Sequence, residues 1–518
     1  MREVCPSPFV WIALVDREGE RMIEPFNESG DRRVPMRQID ITTMKPRLCV
    51  LSDEQITAIH QASLEILALH GVRILDGETR TSLRKAGAFI REKEWVKIPP
   101  HLVKKALNTA PERIVLSNQR GERVMPLQEG KTYFGTGSDT IFTIDVETRE
   151  RRKVRREDVG RMARLCDALS NIDFVMSMGN PQDVPRADVY LYEFAEMVSN
   201  TNKPIVFTAD TANDIDVIVE MASHIAGGKD ELQEKPFLLH YAEPISPLIF
   251  PESSVQKLVR CAEYAIPVTF PSGANAGGGA PITLAGAMAL ANAECLGGLV
   301  IHQLTRPGAP FLYGFNVSIV DMRTAIVSYG APEWSLTAAA QADMARYYRL
   351  PSWGFAGASD SKVVDAQAGS EAMFSVYNAM LSRNNLVHDV GYLEFGTTSS
   401  MELIILVDEI IDMCRRFMEG IPVNETSLAM EAIKRGKAKG GFIDDDHTLQ
   451  NWRQAQFQPK RLDRMQYDIW ESSGKMDLYE RLNGEAKHIM ATHIPEQKPG
   501  DVMEKMAEIL KGRTGQIT

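Results

Sequence analysis

Between residues 131 and 420 the sequence repeats one alternation eight times: a short apolar or β-branched run, then a segment with helical amphipathicity. Apolar runs of roughly 4–8 residues mark buried strands, and a 3.6-residue period marks a helix. The runs fall at 133–137, 172–178, 204–208, 236–241, 266–271, 310–315, 352–357 and 386–393. The helical segments fall at 156–169, 186–200, 212–226, 253–264, 281–305, 333–348, 365–383 and 401–419. Such alternation implies parallel strands joined by crossover helices, so the expected fold is α/β, a (β/α)8 TIM-type barrel. An open doubly wound sheet is the alternative, but nothing marks a dinucleotide turn. The last helix is expected to open at Ser399 with Glu402 three residues on, and to close at Gly420 before Pro422.

The flanks read differently. Ser52 and Gln55 form a capping box, and Ile56, Ile59, Ile66 and Leu67 line one helical face until His70 and Gly71 end it. A further helix at 102–107 lies between short strands, giving an N-terminal helical cap over 36–130. After the barrel at 131–420, a C-terminal helical extension over 421–518 is expected to pack on the outside or build an oligomer contact. Residues 1–35 lack periodicity and are expected to be a non-structural or mis-annotated extension. Arg32 and Arg33, shortly before Met36, are encodable as a ribosome-binding site.

Composition narrows the function. Lys plus Arg is 58 against 69 Asp plus Glu, a net charge of −11 with no basic stripe, which argues against nucleic acid. The six cysteines lie far apart with no CxxC, so the chain reads as reduced and cytoplasmic, with Cys166, Cys295 and Cys414 as buried thiols. The longest apolar run, 285–304, contains Asn292, Glu294 and Gln303 and reads as a buried helix, not a membrane span. Asp444, Asp445, Asp446 and His447 look metal-like on paper, but acidic residues before a helix normally cap it. No tightly bound metal is expected.

In a (β/α)8 barrel the chemistry sits at the C-terminal strand ends. There the sequence places aromatics (Tyr133, Tyr241, Phe315, Trp353, Phe355, Tyr392) and carboxylates (Asp139, Glu243, Asp360, Glu394). Gly135 and Gly137 lack the third glycine of a dinucleotide fingerprint. Gly277, Gly278 and Gly279 would allow phosphate binding or close approach of a flat partner. His240 alone is more often a satisfied structural histidine than a base. Aromatic faces with carboxylates and no metal suit a cationic ligand.

Several long segments then resemble one family in order: LSDEQITAIHQASLEILALHGVRI, FGTGSD, LCDALSNIDF, PSGANAGGGAPITLAGAMALANAECLGGLVIHQLTRPGAP, YGAPEW, YYRLPSWGFAGASDSKVVDAQAG and SMELIILVDEI. The chain from about residue 45 onward resembles the trimethylamine methyltransferase (MttB) family, with no counterpart expected for 1–35. The resemblance implies a barrel that passes a methyl group from a methylated amine to a corrinoid, cycling between Co(I) and methyl-Co(III), on a separate corrinoid-binding protein. Family members acting on trimethylamine carry pyrrolysine where this chain has Ala358, so it resembles the non-pyrrolysine branch, which demethylates quaternary amines such as glycine betaine.

From their strand-end positions, Asp139, Glu243 and Asp360 are the expected catalytic residues. Tyr133, His240, Tyr241, Asn275, Phe315, Asn316, Trp353, Phe355 and Tyr392 are expected to bind substrate. His240, Asn275, Asn316 and the amides of the glycine run would hold a betaine carboxylate. Gly277, Gly278, Gly279 and Ala358 are expected to face the corrinoid. Glycine betaine ranks first, followed by proline betaine, carnitine or another betaine. A non-catalytic betaine-binding barrel and a corrinoid-independent lyase are the other classes. A homo-oligomer is expected, with no nucleic-acid or membrane partner.

Overall fold

The structure, a computed structural model, describes residues 45–514; the extension expected at 1–35 lies outside them. The fold is mixed α/β. Seven of the eight apolar runs form strands: Tyr133–Thr136, Ile205–Phe207, Leu238–Tyr241, Val268–Thr269, Phe311–Leu312, Trp353–Phe355 and Leu386–Val390. Ile205–Phe207, Leu238–Tyr241, Val268–Thr269 and Phe311–Leu312 pair in parallel, in that order. Trp353–Phe355, Leu386–Val390 and Tyr133–Thr136 make a second parallel set. The remaining run, 172–178, contributes single bridges, Phe174 to Gly135 and Val175 to Ile205, and Tyr313 bridges to Ser352.

The helices between them are Arg156–Ala168, Val189–Asn200, Ala212–Ala226, Glu252–Tyr264, Leu284–Thr305, Pro332–Tyr348, Ala366–Ser382 and Met401–Met418, each close to its expected span. Local chemistry sets their starts. Thr211 and Asp214 form a capping box, Asp365 accepts from the Ala368 amide, and Pro332 occupies the first turn. The last helix departs from expectation by one residue. Ser399 is held in a strand with Thr398, pairing with Tyr392–Leu393 and Phe142–Ile144, so Ser400 becomes the cap and accepts from the Leu403 amide at 3.2 Å. Leu284–Thr305 is long and apolar enough to cross a membrane, but it is buried among the other helices. Cys166, Cys295 and Cys414 are buried thiols, each pushed up to about 12 by desolvation.

The N-terminal segment mixes helices with strands. Its first helix, Asp53–Glu65, carries the Ser52–Gln55 capping box. The following turn ends at Gly71, whose φ is +80° and where a Cβ would lie 2.6 Å from the Val96 carbonyl oxygen, so only glycine fits. The hairpin Ile114–Ser117 and Arg123–Leu127 meets the N-terminal end of the strands. Ile114, Leu116, Met125 and Leu127 pack there with Phe174, Val206, Leu239, Leu312, Trp353 and Leu386 in one buried cluster.

At the other end of the chain, Leu478–Thr492 lies on Met401–Met418 and Arg156–Ala168, and Gly500–Thr514 lies on Ala212–Ala226. Arg461 pins this extension, pairing with Asp408 at 2.6 Å and Glu485 at 2.7 Å. The acidic run at 444–446 is a helix start, as expected: Asp445 accepts from the His447 amide at 3.0 Å and pairs with Arg435 at 2.8 Å.

Candidate active site

Side chains alternate across a strand, so the two-residue period decides which residues face the interior. Leu239 and Tyr241 join the interior cluster, and Leu386 and His388 do the same in the second parallel set. At the C-terminal strand ends these residues lead into a rim of carboxylates and phenols. Tyr241 donates to Glu243 at 2.7 Å. Ser138 donates to Asp139 at 2.7 Å, and Asn180 bridges Asp139 at 3.5 Å and Glu193 at 3.3 Å. Tyr392 donates to the Ser138 carbonyl, and the aromatic rings of Tyr392 and Tyr329 flank Gly396.

Asp389 is the most constrained of these residues. The pairing of Leu386–Val390 with Tyr133–Thr136 slips between Val387 and Val390, a bulge that leaves Asp389 at φ +79°. Bulges and left-handed non-glycine residues carry strain and concentrate where a side chain must be re-aimed. The carboxyl is buried, with an oxygen 3.2 Å from His388 Nε2, while the other His388 ring nitrogen meets the Gly354 carbonyl at 2.8 Å.

The rim is electrostatically one-sided. Desolvation raises the Asp389 carboxyl well above its usual range. Glu193 is raised well above too, by burial and then by Asp139. Asp139 and Glu243 are exposed; surrounding protein that displaces water raises the carboxyls of both, and Asp139 raises Glu243 further. Burial pushes up the phenols of Tyr241, Tyr329 and Tyr392, and Asp389 reinforces all three. The cation acting on Asp139 and Glu243 is Lys257, which donates to the Ala209 carbonyl at 2.6 Å and is itself pushed down by burial. A site in which acids are held up and the lone ammonium is held down is short of positive charge.

Of the residues expected from sequence, Asp139, Glu243, Tyr241 and Tyr392 come together at this rim. The others are placed elsewhere or otherwise engaged. His240 lies on the opposite strand face from Leu239 and Tyr241, buried against Phe207 with its Nδ1 3.1 Å from that residue's carbonyl. Tyr133 begins its strand, its amide donating to the Asn385 carbonyl at 2.8 Å, which puts it at the N-terminal end. Asp360 is a loop brace, accepting from Ser328 and from the Tyr329 amide at 2.8 Å. Asn316 accepts from Trp334 Nε1 at 2.7 Å. Phe315, Phe355 and Trp353 are fully enclosed. Phe355 backs Trp334 at 4.6 Å, and Trp353 lies under Tyr241 at 5.5 Å and His388 at 4.4 Å with its Nε1 unpartnered.

Asn275 belongs to a small flap, Asn275–Ala276 with Ser318–Asp321 and Ile326–Ser328, that carries the glycine run. The amides of Gly277 and Gly278 are taken by the Ala280 and Asn275 carbonyls at 3.0 and 2.9 Å, so they are not free to hold an anion. Ala358 is buried. Sequence alone did not single out Asp389, Tyr329, Glu193 or Lys257. Asp389 stood among the strand-end residues, but only the bulge turns it inward.

The trimethylamine methyltransferase (MTTB) family model matches residues 22–518. The chain belongs to the trimethylamine methyltransferase (MttB) family. The match reaches into 22–35, which corrects the expectation that no part of 1–35 has a family counterpart. Trimethylamine methyltransferase MttB of Desulfitobacterium hafniense is 33% identical over 465 residues, covering 90% of this chain and 93% of that protein. A glycine betaine methyltransferase from the same species is 30% identical, covering 91% and 98%. MttB of Methanosarcina thermophila is 32% identical, covering 89% and 96%. The solved monomethylamine methyltransferase MtmB of Methanosarcina barkeri aligns over 86% of this chain and 95% of its own, at 12% identity and a TM-score of 0.44. The protein is therefore a methyltransferase of the MttB family.

Proposed function

We propose that this chain moves a methyl group from a quaternary amine to the Co(I) of a corrinoid carried by a separate protein, at the carboxylate and phenol rim. The observation that carries the reading is that rim: the carboxyls of Asp139, Glu193, Glu243 and Asp389 cluster beside the rings of Tyr241, Tyr329 and Tyr392. Quaternary ammonium groups are held by aromatic faces and by negative potential. The barrel belongs to the same reading. The parallel pairings and single bridges lead from Tyr133–Thr136 through Phe174, Val175 and the following strands back to Leu386–Val390, which pairs with Tyr133–Thr136.

The corrinoid, when docked, supplies the electron pair that forms the new bond to the methyl carbon; the C–N pair stays on nitrogen, which leaves as a neutral amine. No general acid is needed for that departure. This chain's residues bind and orient. Positive charge on nitrogen falls in the transition state, so tight ion pairs would favour substrate over transition state. The Tyr241 and Ser138 hydroxyls soften Glu243 and Asp139 by donating to them. The ammonium is then held by diffuse potential and ring faces, with one methyl left pointing outward.

The partner would dock over the flap, where Gly277 and Gly278 present no side chain and Ile282 and Met322 are exposed. A homo-oligomer contact would use exposed apolar residues of the C-terminal extension such as Met430 and Ile443. Glycine betaine, proline betaine and carnitine are the donors that the resemblance puts first. The test is loss of Co(I) cobalamin absorbance with each amine offered separately, then with the corrinoid protein. Methylation by a quaternary amine is expected. Binding without methylation would leave a binding barrel, and turnover without cobalamin would mean a lyase.

A further inference from the structure

We propose that a second cavity, at the opposite end of the strands from the rim, binds a small phosphorylated organic anion. Its volume is about 510 Å³, a size that takes a ligand of mononucleotide scale. Ser352 and Asn385, which immediately precede the strands Trp353–Phe355 and Leu386–Val390, line it, so it lies at the N-terminal strand ends. The methyl-transfer reading makes no use of it.

Five arginines converge there from separate parts of the chain. Arg47 comes from the segment before the first helix, and Arg113 from just before the hairpin. Arg346 and Arg349 come from the end of Pro332–Tyr348, and Arg383 from the end of Ala366–Ser382. The carboxylates within reach are fewer. Glu112 meets Arg349 at 3.3 Å and Glu129 meets Arg47 at 4.0 Å, but their side chains are 62% and 72% exposed, where an ion pair contributes little. Asp343 pairs with Arg346 and also accepts from the Val50 and Leu51 amides at 2.8 and 3.0 Å. Arg346 donates to the Ser382 carbonyl at 2.7 Å and Arg383 to the Pro46 carbonyl at 3.5 Å. Arg113 has no hydrogen bond or ion pair among the described residues. Five guanidiniums against three carboxylates leave the cavity positive in a chain of net charge −11. Each guanidinium carries five N–H donors, so donors remain on Arg47, Arg113, Arg349 and Arg383.

The helix dipole favours cations near a C-terminus, and that alone would account for Arg346. It does not account for Arg47 and Arg113, which lie outside helices. Nor does it account for the backbone at Arg349 and Arg383. These two close their helices at φ of 55° and 61°, a left-handed cap where glycine is the usual residue. Arginine at both gives up backbone ease and brings two cations to one cavity. Ala342, Ala345, Leu350 and Pro351 make another part of the wall apolar. Arginine forks match phosphate oxygens bidentately, and an apolar wall covers an organic body.

Isothermal titration of the full chain with ADP, inorganic pyrophosphate and adenosine tests this. ADP and pyrophosphate are expected to bind, ADP at least ~3-fold tighter and adenosine not at all, with ADP weakening at least ~5-fold as salt rises from about 0.05 to 0.2 M. Arg113→Ala and Arg349→Gly should each weaken ADP by ~10-fold. Arg349→Gly should hold or raise the melting temperature, because glycine suits the left-handed cap, so its lost binding is not lost folding. Methyl transfer without added phosphate should stay within about twofold in both variants, since neither residue is near the rim. No ADP binding at about 1 mM overturns the inference, as does ADP binding that both variants leave unchanged. Pyrophosphate binding tighter than ADP, or adenosine binding as tightly as ADP, overturns it equally.

Discussion

At the N-terminal end of the strands, Ile114, Leu116, Met125 and Leu127 fill the interior with hydrocarbon; Ser117 Oγ and Gln119 Oε1 are buried there without a partner, while the Asn385 amide is matched through both its oxygen and its nitrogen. Asn385 there donates to the Gln128 and Lys131 carbonyls at 2.7 and 2.9 Å and accepts from the Ser352 amide at 2.9 Å. At the C-terminal end of the same strands, the buried carboxyls of Asp389 and Glu193 are raised by desolvation, and Asp139 and Asp389 sit at left-handed φ of 62° and 79°. The interior of one end is arranged for stability and the other keeps unbalanced charge and backbone strain, which persist only where surrounding structure enforces them. The difference is what makes the C-terminal end the candidate site.

The largest effect that could break this comparison is at the closed end. Leu127→Ala removes a fully buried side chain from the hairpin and should cost about 2–5 kcal/mol in denaturant unfolding. Quaternary-amine affinity of the folded fraction should stay unchanged; a matching loss of affinity would mean that the two ends are not separable.

A smaller effect sharpens the comparison at the open end. Carboxyls raised in the folded state contribute stability that is complete below their unfolded value of about 4 and is lost as pH rises through their folded values. Asp139, Glu193, Glu243 and Asp389 all have this sign. Asp145, lowered to about 2 by hydrogen bonds from its turn and from Arg152, has the opposite one. Stability should therefore decline from about pH 5 toward pH 8, and Asp389→Asn should flatten that decline by ~1 kcal/mol. An unchanged slope would show that Asp389 is ionised in the folded protein.

The helices were legible because their signals are local: the Thr211–Asp214 box, Pro332 at a first turn, and the Ser52–Gln55 box all act within four residues. Strand positions were legible as apolar runs, but not how much of each run would pair; 172–178 yields only single bridges. At the site, Asp139 and Glu243 followed from lying just beyond strand ends. His240 was misplaced because a two-residue period flips with one residue of register, and the interior positions of Leu239 and Tyr241 fix it outward. Tyr329 and Lys257 reach the rim from a flap hairpin and an outer helix. Their arrival depends on tertiary packing that no strand-end rule contains. Ala358 was expected to face the corrinoid, yet it is buried, which spacing does not reveal.

The most direct test of the account is the rate of Co(I) corrinoid methylation by Glu243→Gln/Asp389→Asn protein at sub-saturating amine, compared with the unaltered chain. The account predicts a fall of about 100-fold in the second-order rate constant, about tenfold per neutralised carboxyl, with folding retained. A rate within twofold of the unaltered protein would contradict it, because the methyl donor would then not be held by this rim.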